Sequence, residues 1–293
     1  MRIRYALACI VALGMASGAR AATEVDVPTA GLSSSAAPLK GYVFEPGTPG
    51  PHAAIVMLHG CGGAYASDGR LNARHRMWGE LLATQGYVVL MLDSFSPRGI
   101  QTLCTQALAQ RSLKEADRIG DAYAAQAYLR TRQDVQPERI GVLGWSHGGG
   151  VVLDTVTRPP RDLTAHGAAR FAAAVAFYPG CSARARHADR FHPDAPLLVL
   201  MGEADDWTPA APCRALADAV AARGEPMELV TYPDTYHDFD NPGLKRLHVR
   251  REVPNGVHPG QGVTTAPNPV AREDAKARVT RFFARALGSQ ATP

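Results

Sequence analysis

Six short runs of this chain are apolar almost from end to end: residues 53–58, 87–92, 140–145, 171–178, 197–201 and 227–232. A strand with one solvated face alternates apolar and polar residues, so runs without alternation are read as strands covered on both faces. Between them the period changes. Met77, Trp78, Leu81 and Leu82 recur at helical spacing, as do Leu113, Ala116, Ile119, Tyr123 and Ala127. Cys213, Leu216, Ala217 and Val220 make a third stripe, and Val279, Phe282, Phe283 and Ala286 a fourth that stops near Gly288, where a glycine suits a left-handed cap. Strand–helix alternation repeated this often implies an α/β fold, a mostly parallel twisted sheet with helices on both faces. Residues 39–44 read as an earlier strand near one edge. In such sheets ligands bind beyond the carboxyl ends of the strands, so the residues of a site should fall just after strands.

The chain ends carry different information. Arg2 and Arg4 precede an apolar run over residues 5–15, and Ala19-Arg20-Ala21 supplies a small-x-small cleavage pattern. Residues 1–21 therefore read as a signal peptide cut near Ala21, and the product as exported, periplasmic or secreted. The run is too short for a permanent bilayer-spanning helix, so no stable membrane anchor is expected. Cys9 comes before most of the run, the wrong place for lipid attachment. Removing Arg2, Arg4 and Arg20 from a formal charge of +4 leaves +1, which provides no electrostatic footprint for nucleic acid. Nothing in the pattern sets an oligomeric state.

Of five cysteines, Cys9 leaves with the signal, and Cys61, Cys104, Cys181 and Cys213 remain. An even number in an exported chain implies two disulfides, for which three pairings exist. No cysteine–histidine spacing resembles a zinc site. Residues 22–38, with their Ser/Ala/Pro-rich stretch, read as a flexible lead, and 39–288 as a single domain with no dividing linker. Residues 241–269, rich in glycine, proline and polar side chains, form a long excursion of the kind that is usually functional or mobile.

Four segments after strands carry chemistry. Gly144-Trp145-Ser146-His147-Gly148 lies where the 140–145 run meets a helix, the strand–turn–helix setting of a nucleophile elbow in an α/β-hydrolase fold. A sharp turn lifts the serine clear of the sheet, and chain passing close by demands glycine two positions before and after. The amide of His147, near the helix N-terminus, then faces the place where negative charge develops. Asp205 and Asp206 follow the 197–201 run; Asp205 is the preferred triad acid, and Asp206 remains a rival better suited to solvating the loop or capping a helix. His237 follows the 227–232 run and completes the order Ser, Asp, His. A serine hydroxyl needs a base to take its proton and a carboxylate to hold that base. His248 and His258 are rival bases, whereas His52, His75, His166, His187 and His192 read as surface residues. His59-Gly60-Cys61-Gly62-Gly63 ends the 53–58 run, with the Cys61 amide as second oxyanion donor and His59 as a support of its loop.

Together with Asp93-Ser94-Phe95-Ser96-Pro97-Arg98-Gly99 and Asp205-Asp206-Trp207-Thr208-Pro209, these segments resemble the dienelactone hydrolase family, from about Leu39 to Leu287. The resemblance implies a sheet of seven or eight strands, hydrolysis of esters or lactones as small-molecule substrates, and neither metal nor organic cofactor. One departure stands out: the founding enzymes carry cysteine at the nucleophile position, where this chain has Ser146. Ester hydrolysis through an acyl-enzyme is therefore expected, without dienelactone as the implied substrate. Fitted to that fold, the cysteines pair as Cys61–Cys104, bracing the oxyanion loop, and Cys181–Cys213, bracing the acid loop. Arg98 and Trp207 are candidate pocket residues, Arg98 either for an acidic substrate group or for a local carboxylate, while Trp145 is expected in the core. A serine peptidase and a non-catalytic binding protein on the same fold stay open at this point.

Overall fold

The computed structural model describes residues 22–29 and 31–288. In chain order the elements are β1 (Thr23–Val27), β2 (Leu39–Phe44), β3 (His52–Leu58), α1 (Ala73–Thr84), β4 (Val88–Asp93), α2 (Ile119–Arg130), β5 (Val135–Trp145) and α3 (His147–Thr155). There follow β6 (Ala173–Phe177), α4 (Ser182–Ala185), β7 (Leu197–Gly202), α5 (Ala210–Ala221), β8 (Met227–Tyr232), β9 (His248–Arg250), β10 (Val263–Thr265) and α6 (Pro269–Ala286). Eight strands form one sheet in the order β1-β2-β4-β3-β5-β6-β7-β8. The pairs β1–β2 and β2–β4 are antiparallel, and the pairs from β4–β3 through to β7–β8 are parallel. This is an α/β-hydrolase fold.

Burial follows the apolar runs. Every residue of β3, β4, β6 and β7 is buried, as helix-covered strands must be. β8 differs: Glu228 is exposed and most of the strand only half-buried, because β8 is the last strand of the sheet. β5 begins five residues earlier than its apolar run, at Val135, through the polar stretch Gln136-Pro137-Glu138-Arg139. The helix expected to include Leu113 starts at Ile119, after a 3-10 turn over Ala116–Arg118. Leu113 instead lies in a small buried cluster with Cys61, Phe95, Cys104, Val253 and Val263.

Two expectations need correction. Residues 22–38 are not simply a flexible lead, because β1 adds an edge strand to β2, from Thr23 opposite Val43 to Val27 opposite Leu39. Its alternating Thr-Glu-Val-Asp-Val has an edge strand's pattern rather than a buried strand's. Further on, the carbonyl of Leu32 packs so close to Gly120 that a Cβ there would stand 1.9 Å from it. His52 and His75 are not surface residues. His75 is fully buried, with Nδ1 3.1 Å from the Ala64 carbonyl and its ring against Trp145, while His52 places Nε2 3.0 Å from the Thr48 carbonyl.

The long excursion is partly ordered by pairing. β9 and β10 make an antiparallel two-stranded sheet, and Thr265 bridges in parallel to His237. Both disulfides, Cys61–Cys104 and Cys181–Cys213, are present.

Candidate active site

The elbow explains its own glycines. Ser146 has φ 52° and ψ −115°, a left-handed backbone that costs a non-glycine residue strain. A Cβ on Gly144 would stand 2.3 Å from the Gly148 carbonyl oxygen, and one on Gly148 would stand 2.2 Å from that of Leu58. Neither position admits a side chain. The Ser146 amide donates to the Phe177 carbonyl at 2.9 Å, locking the turn to β6. His147 opens α3, so its amide has no intrahelical acceptor. A Cβ on Gly60 would lie 3.4 Å from the Ser146 Cβ, which puts the loop after β3 in contact with Ser146. That loop is fixed by the Cys61–Cys104 bridge and by the Cys61 carbonyl, which accepts from the Leu103 amide at 2.8 Å and the Thr102 hydroxyl at 3.2 Å. His59 supports it from beneath: Nε2 accepts from the Ser94 amide at 3.2 Å.

Across the rim, His237 Nδ1 lies 2.7 Å from Asp205 Oδ2, with both side chains buried. Asp205 Oδ1 accepts from the amides of Trp207 at 2.9 Å and Thr208 at 2.8 Å, so the carboxylate's orientation is set by its own turn. With Nδ1 donating to Asp205, Nε2 is the basic nitrogen. It is buried and has no partner among the described residues. Ser146 Oγ and Nε2 are not hydrogen-bonded to each other. Contacts of this kind are often long in unliganded sites and tighten with substrate. Asp206 takes no part in this pair. Its carboxylate receives the amide and hydroxyl of Thr264, each at 2.7 Å, and so fastens β10 to the acid loop. The rivals His248 and His258 lie on the excursion, His248 in β9.

A cleft of about 640 Å³ opens on Ser146, His147, Trp207 and Thr208. The Trp207 ring lies 4.7 Å from that of His237, and Arg250 covers it at 5.2 Å. Arg98 is absent from the lining, which corrects its candidacy as a pocket residue. Its guanidinium grips Asp121 through two bonds of 2.8 and 2.9 Å and reaches Ser33 Oγ at 3.1 Å. Asp121 is fully buried and needs a cation, so the local carboxylate wins. Cations do gather at the cleft, from elsewhere: Arg111, Lys114, Arg158, Arg186 and Arg190. The two acids of its lining, Glu115 and Asp154, both pair with Arg184.

Sequence reasoning missed a charged network behind His237. Asp240 accepts from the indoles of Trp78 at 2.8 Å and Trp145 at 2.9 Å, and from the Tyr178 hydroxyl at 2.6 Å. Arg74 pairs with Asp238 and donates to Tyr178 at 2.8 Å. Burial pushes the Asp240 carboxyl up; burial would raise Asp238 too, but the Arg74 guanidinium holds it below the usual range. The signal that could have revealed this is the alternation of acids in His237-Asp238-Phe239-Asp240. Trp145 is fully buried, as expected of the residue before the elbow serine. Backbone strain gathers here as well. Among the described residues, non-glycine left-handed backbone occurs at Ser146, Tyr178, Asp234 and Asp238, all just beyond the ends of β5, β6 and β8.

Among the described residues no group of three or more metal-ligating side chains converges, and no helix is long and apolar enough to cross a membrane. The segment read as a signal peptide, residues 1–21, lies outside the described residues.

Comparison with known proteins gives a consistent picture. The model of the dienelactone hydrolase family matches residues 39–287. A Synechocystis protein provisionally named a carboxymethylenebutenolidase is 26% identical over 158 residues, 49% of this chain and 56% of that relative. The chain thus matches little more than half the length of this curated relative. Among solved structures, esterase 2 of Thermogutta terrifontis with propionate bound superposes with a TM-score of 0.62 at 20% identity, covering 93% of this chain and 96% of that one. A dienelactone hydrolase-like promiscuous phosphotriesterase from metagenomic libraries gives 0.64 at 18% identity, covering 92% and 99%. At such identities these structures speak for the fold.

Proposed function

This chain belongs to the dienelactone hydrolase family, and from that premise we propose that it is an exported serine hydrolase cleaving a carboxylic ester or lactone through an acyl-enzyme. The observation that carries the reading is the buried Asp205–His237 pair, with the His237 ring packed against Trp207, which lines the cleft that also opens on a strained Ser146. In the proposed cycle Ser146 Oγ attacks the substrate carbonyl and its proton passes to His237 Nε2, while Asp205 stabilises the imidazolium through Nδ1–H. The carbonyl oxygen, now negative, is received by the amides of Cys61 and His147. The tetrahedral intermediate collapses, the alcohol leaves with the proton held on Nε2, and the acyl group stays on Ser146. Water activated by the same imidazole then releases the acid.

The surplus of cations at the cleft mouth supports a substrate bearing a negative group, which would be drawn in by long-range attraction. The two disulfides and the sequence of residues 1–21 support export, since such bridges persist in oxidising compartments. Short p-nitrophenyl esters, neutral and carboxylate-bearing, and a matched peptide amide test the reading. Wild type is expected to hydrolyse the esters and spare the amide, and Ser146→Ala to hydrolyse neither. Amide cleavage at a comparable rate would make it a peptidase, and an inert wild type that fails to react with a fluorophosphonate would make it a binding protein.

A further inference from the structure

The nucleophile side of the cleft rests on a charge that the proposed cycle does not use. Arg118, at the end of the 3-10 turn leading into α2, is fully buried. Its Nη1 donates to the His59 carbonyl at 3.0 Å and lies 2.9 Å from Nδ1 of His147. A guanidinium offers only donors, so His147 Nδ1 is the acceptor and that imidazole is neutral. Burial and then Arg118 itself push both His59 and His147 well below the ordinary histidine range, in keeping with this. The guanidinium lies over the Phe95 ring at 5.2 Å, while its Nε and Nη2 have no hydrogen-bond partner among the described residues. No carboxylate stands within ion-pair distance of it among the described residues. Burial pulls its pKa down to about 10, which leaves it charged at neutral pH.

The placement of these contacts is informative. One falls two residues before Cys61 and the other on His147, the two segments whose amides receive the oxyanion in the proposed cycle. A mere filler of this space would be better served by an apolar side chain, since a buried charge without a carboxylate is unfavourable. We propose that Arg118 is a positioning residue for the oxyanion hole. It ties the loop after β3 to the first turn of α3, sets the separation of the Cys61 and His147 amides, and keeps positive charge behind the developing oxyanion. This rests on the serine hydrolase reading.

The test compares Arg118→Met, Arg118→Lys, His147→Leu and the Arg118→Met/His147→Leu double variant with wild type. Reactive serine is counted by fluorophosphonate labelling to completion, so turnover refers to competent sites and not to total protein. Arg118→Met is expected to lower kcat per labelled serine roughly 10- to 100-fold, as small displacements of reacting groups do. KM should stay within about threefold, since the lost interaction belongs to the transition state. Arg118→Lys should recover part of the loss. His147→Leu keeps the amide but removes the Arg118 contact, so it should lower kcat alone, and adding Arg118→Met should then cost less than it does in wild type. Unchanged kcat per labelled serine in Arg118→Met, or losses that simply multiply in the double variant, would overturn the proposal. If Arg118→Met does not fold, unchanged kcat in both Arg118→Lys and His147→Leu overturns it. A wild type that neither labels nor hydrolyses esters is a different failure, that of the hydrolase reading itself.

Discussion

Beyond β3 and β5 the candidate site is held by backbone packed against backbone, whereas beyond β7 and β8 it is held by carboxylates. On that first side Gly144 and Gly148 let chain segments meet at distances no side chain would allow, and Gly60 brings the loop after β3 so close that a Cβ would stand 3.2 Å from the Trp145 carbonyl. A buried cation there, Arg118, lies against His59 and the neutral imidazole of His147. On the base side Asp205 and Asp206 each hold two segments, and Asp238 and Asp240 sit behind His237. The signs match the chemistry proposed for each side. An oxyanion is favoured near positive charge and an imidazolium near negative charge.

The sharpest way to break this comparison is to remove charge from the base side one carboxylate at a time. Asp205→Asn should lower kcat about 10⁴-fold, because the neutral amide no longer holds the imidazole in its working tautomer. Asp206→Asn should cost roughly tenfold at most, by loosening β10 and the bridge to His237. Ester kinetics on both variants decide it; equal losses would mean that Asp205 is not the acid of the site.

Arg98 sharpens the contrast from outside the cleft. Arg98→Ala strips the partner from a fully buried Asp121, so it should destabilise the fold by about 3–5 kcal/mol in urea unfolding. Its kcat/KM, measured on the folded fraction, should stay within about threefold of wild type, since a residue outside the cleft gives no transition-state contact. A large rise in KM with carboxylate-bearing esters would return Arg98 to the pocket.

Acid should separate the two sides by the smallest but most selective effect. Burial depresses His75 from 6.5 to about 3, and His59 and His147 in the same direction. Unfolded chains bind protons on these groups below pH 6.5 while the folded chain does not, so stability is full above that pH and declines as pH falls through 6.5 toward 3. Asp238, held below 3.8, keeps its contribution until pH falls below that value. Hydrogen exchange at pH 7 and pH 5 should therefore show protection lost around Gly60 and His147 before it is lost around Asp205 and His237. The reverse order would contradict the charge assignment.

Much of the molecule was legible in advance because a few physical demands leave strong traces. Strands buried on both faces must be apolar throughout, and a serine turn crowded by three segments must be flanked by glycine, so the sheet and the elbow stood out. The cysteine pairs could be assigned only once the likeness to a known fold set which strands are neighbours. What escaped notice depends on partners distant in sequence. β1 alternates polar and apolar residues over only five positions, which reads as a loop without β2 beside it. Arg98 and Asp121 are 23 residues apart, and nothing local marks them as a pair. Arg118 falls between Ala116 and Ile119 of the helical stripe, with nothing local to mark it as buried, and His75 lies beside the exposed Arg76. Burial of a polar side chain is a property of the assembled fold rather than of its neighbours in sequence.

The central claim is that the imidazole of His237 acts on the hydroxyl of Ser146 across the rim. Intact-mass and peptide mapping after fluorophosphonate treatment of wild type, His237→Ala and Ser146→Ala test it directly. The account requires a single adduct on Ser146 in wild type, none in Ser146→Ala, and labelling of His237→Ala slowed by at least about 10³-fold with the serine intact. An adduct elsewhere, or labelling of His237→Ala at the wild-type rate, would contradict it.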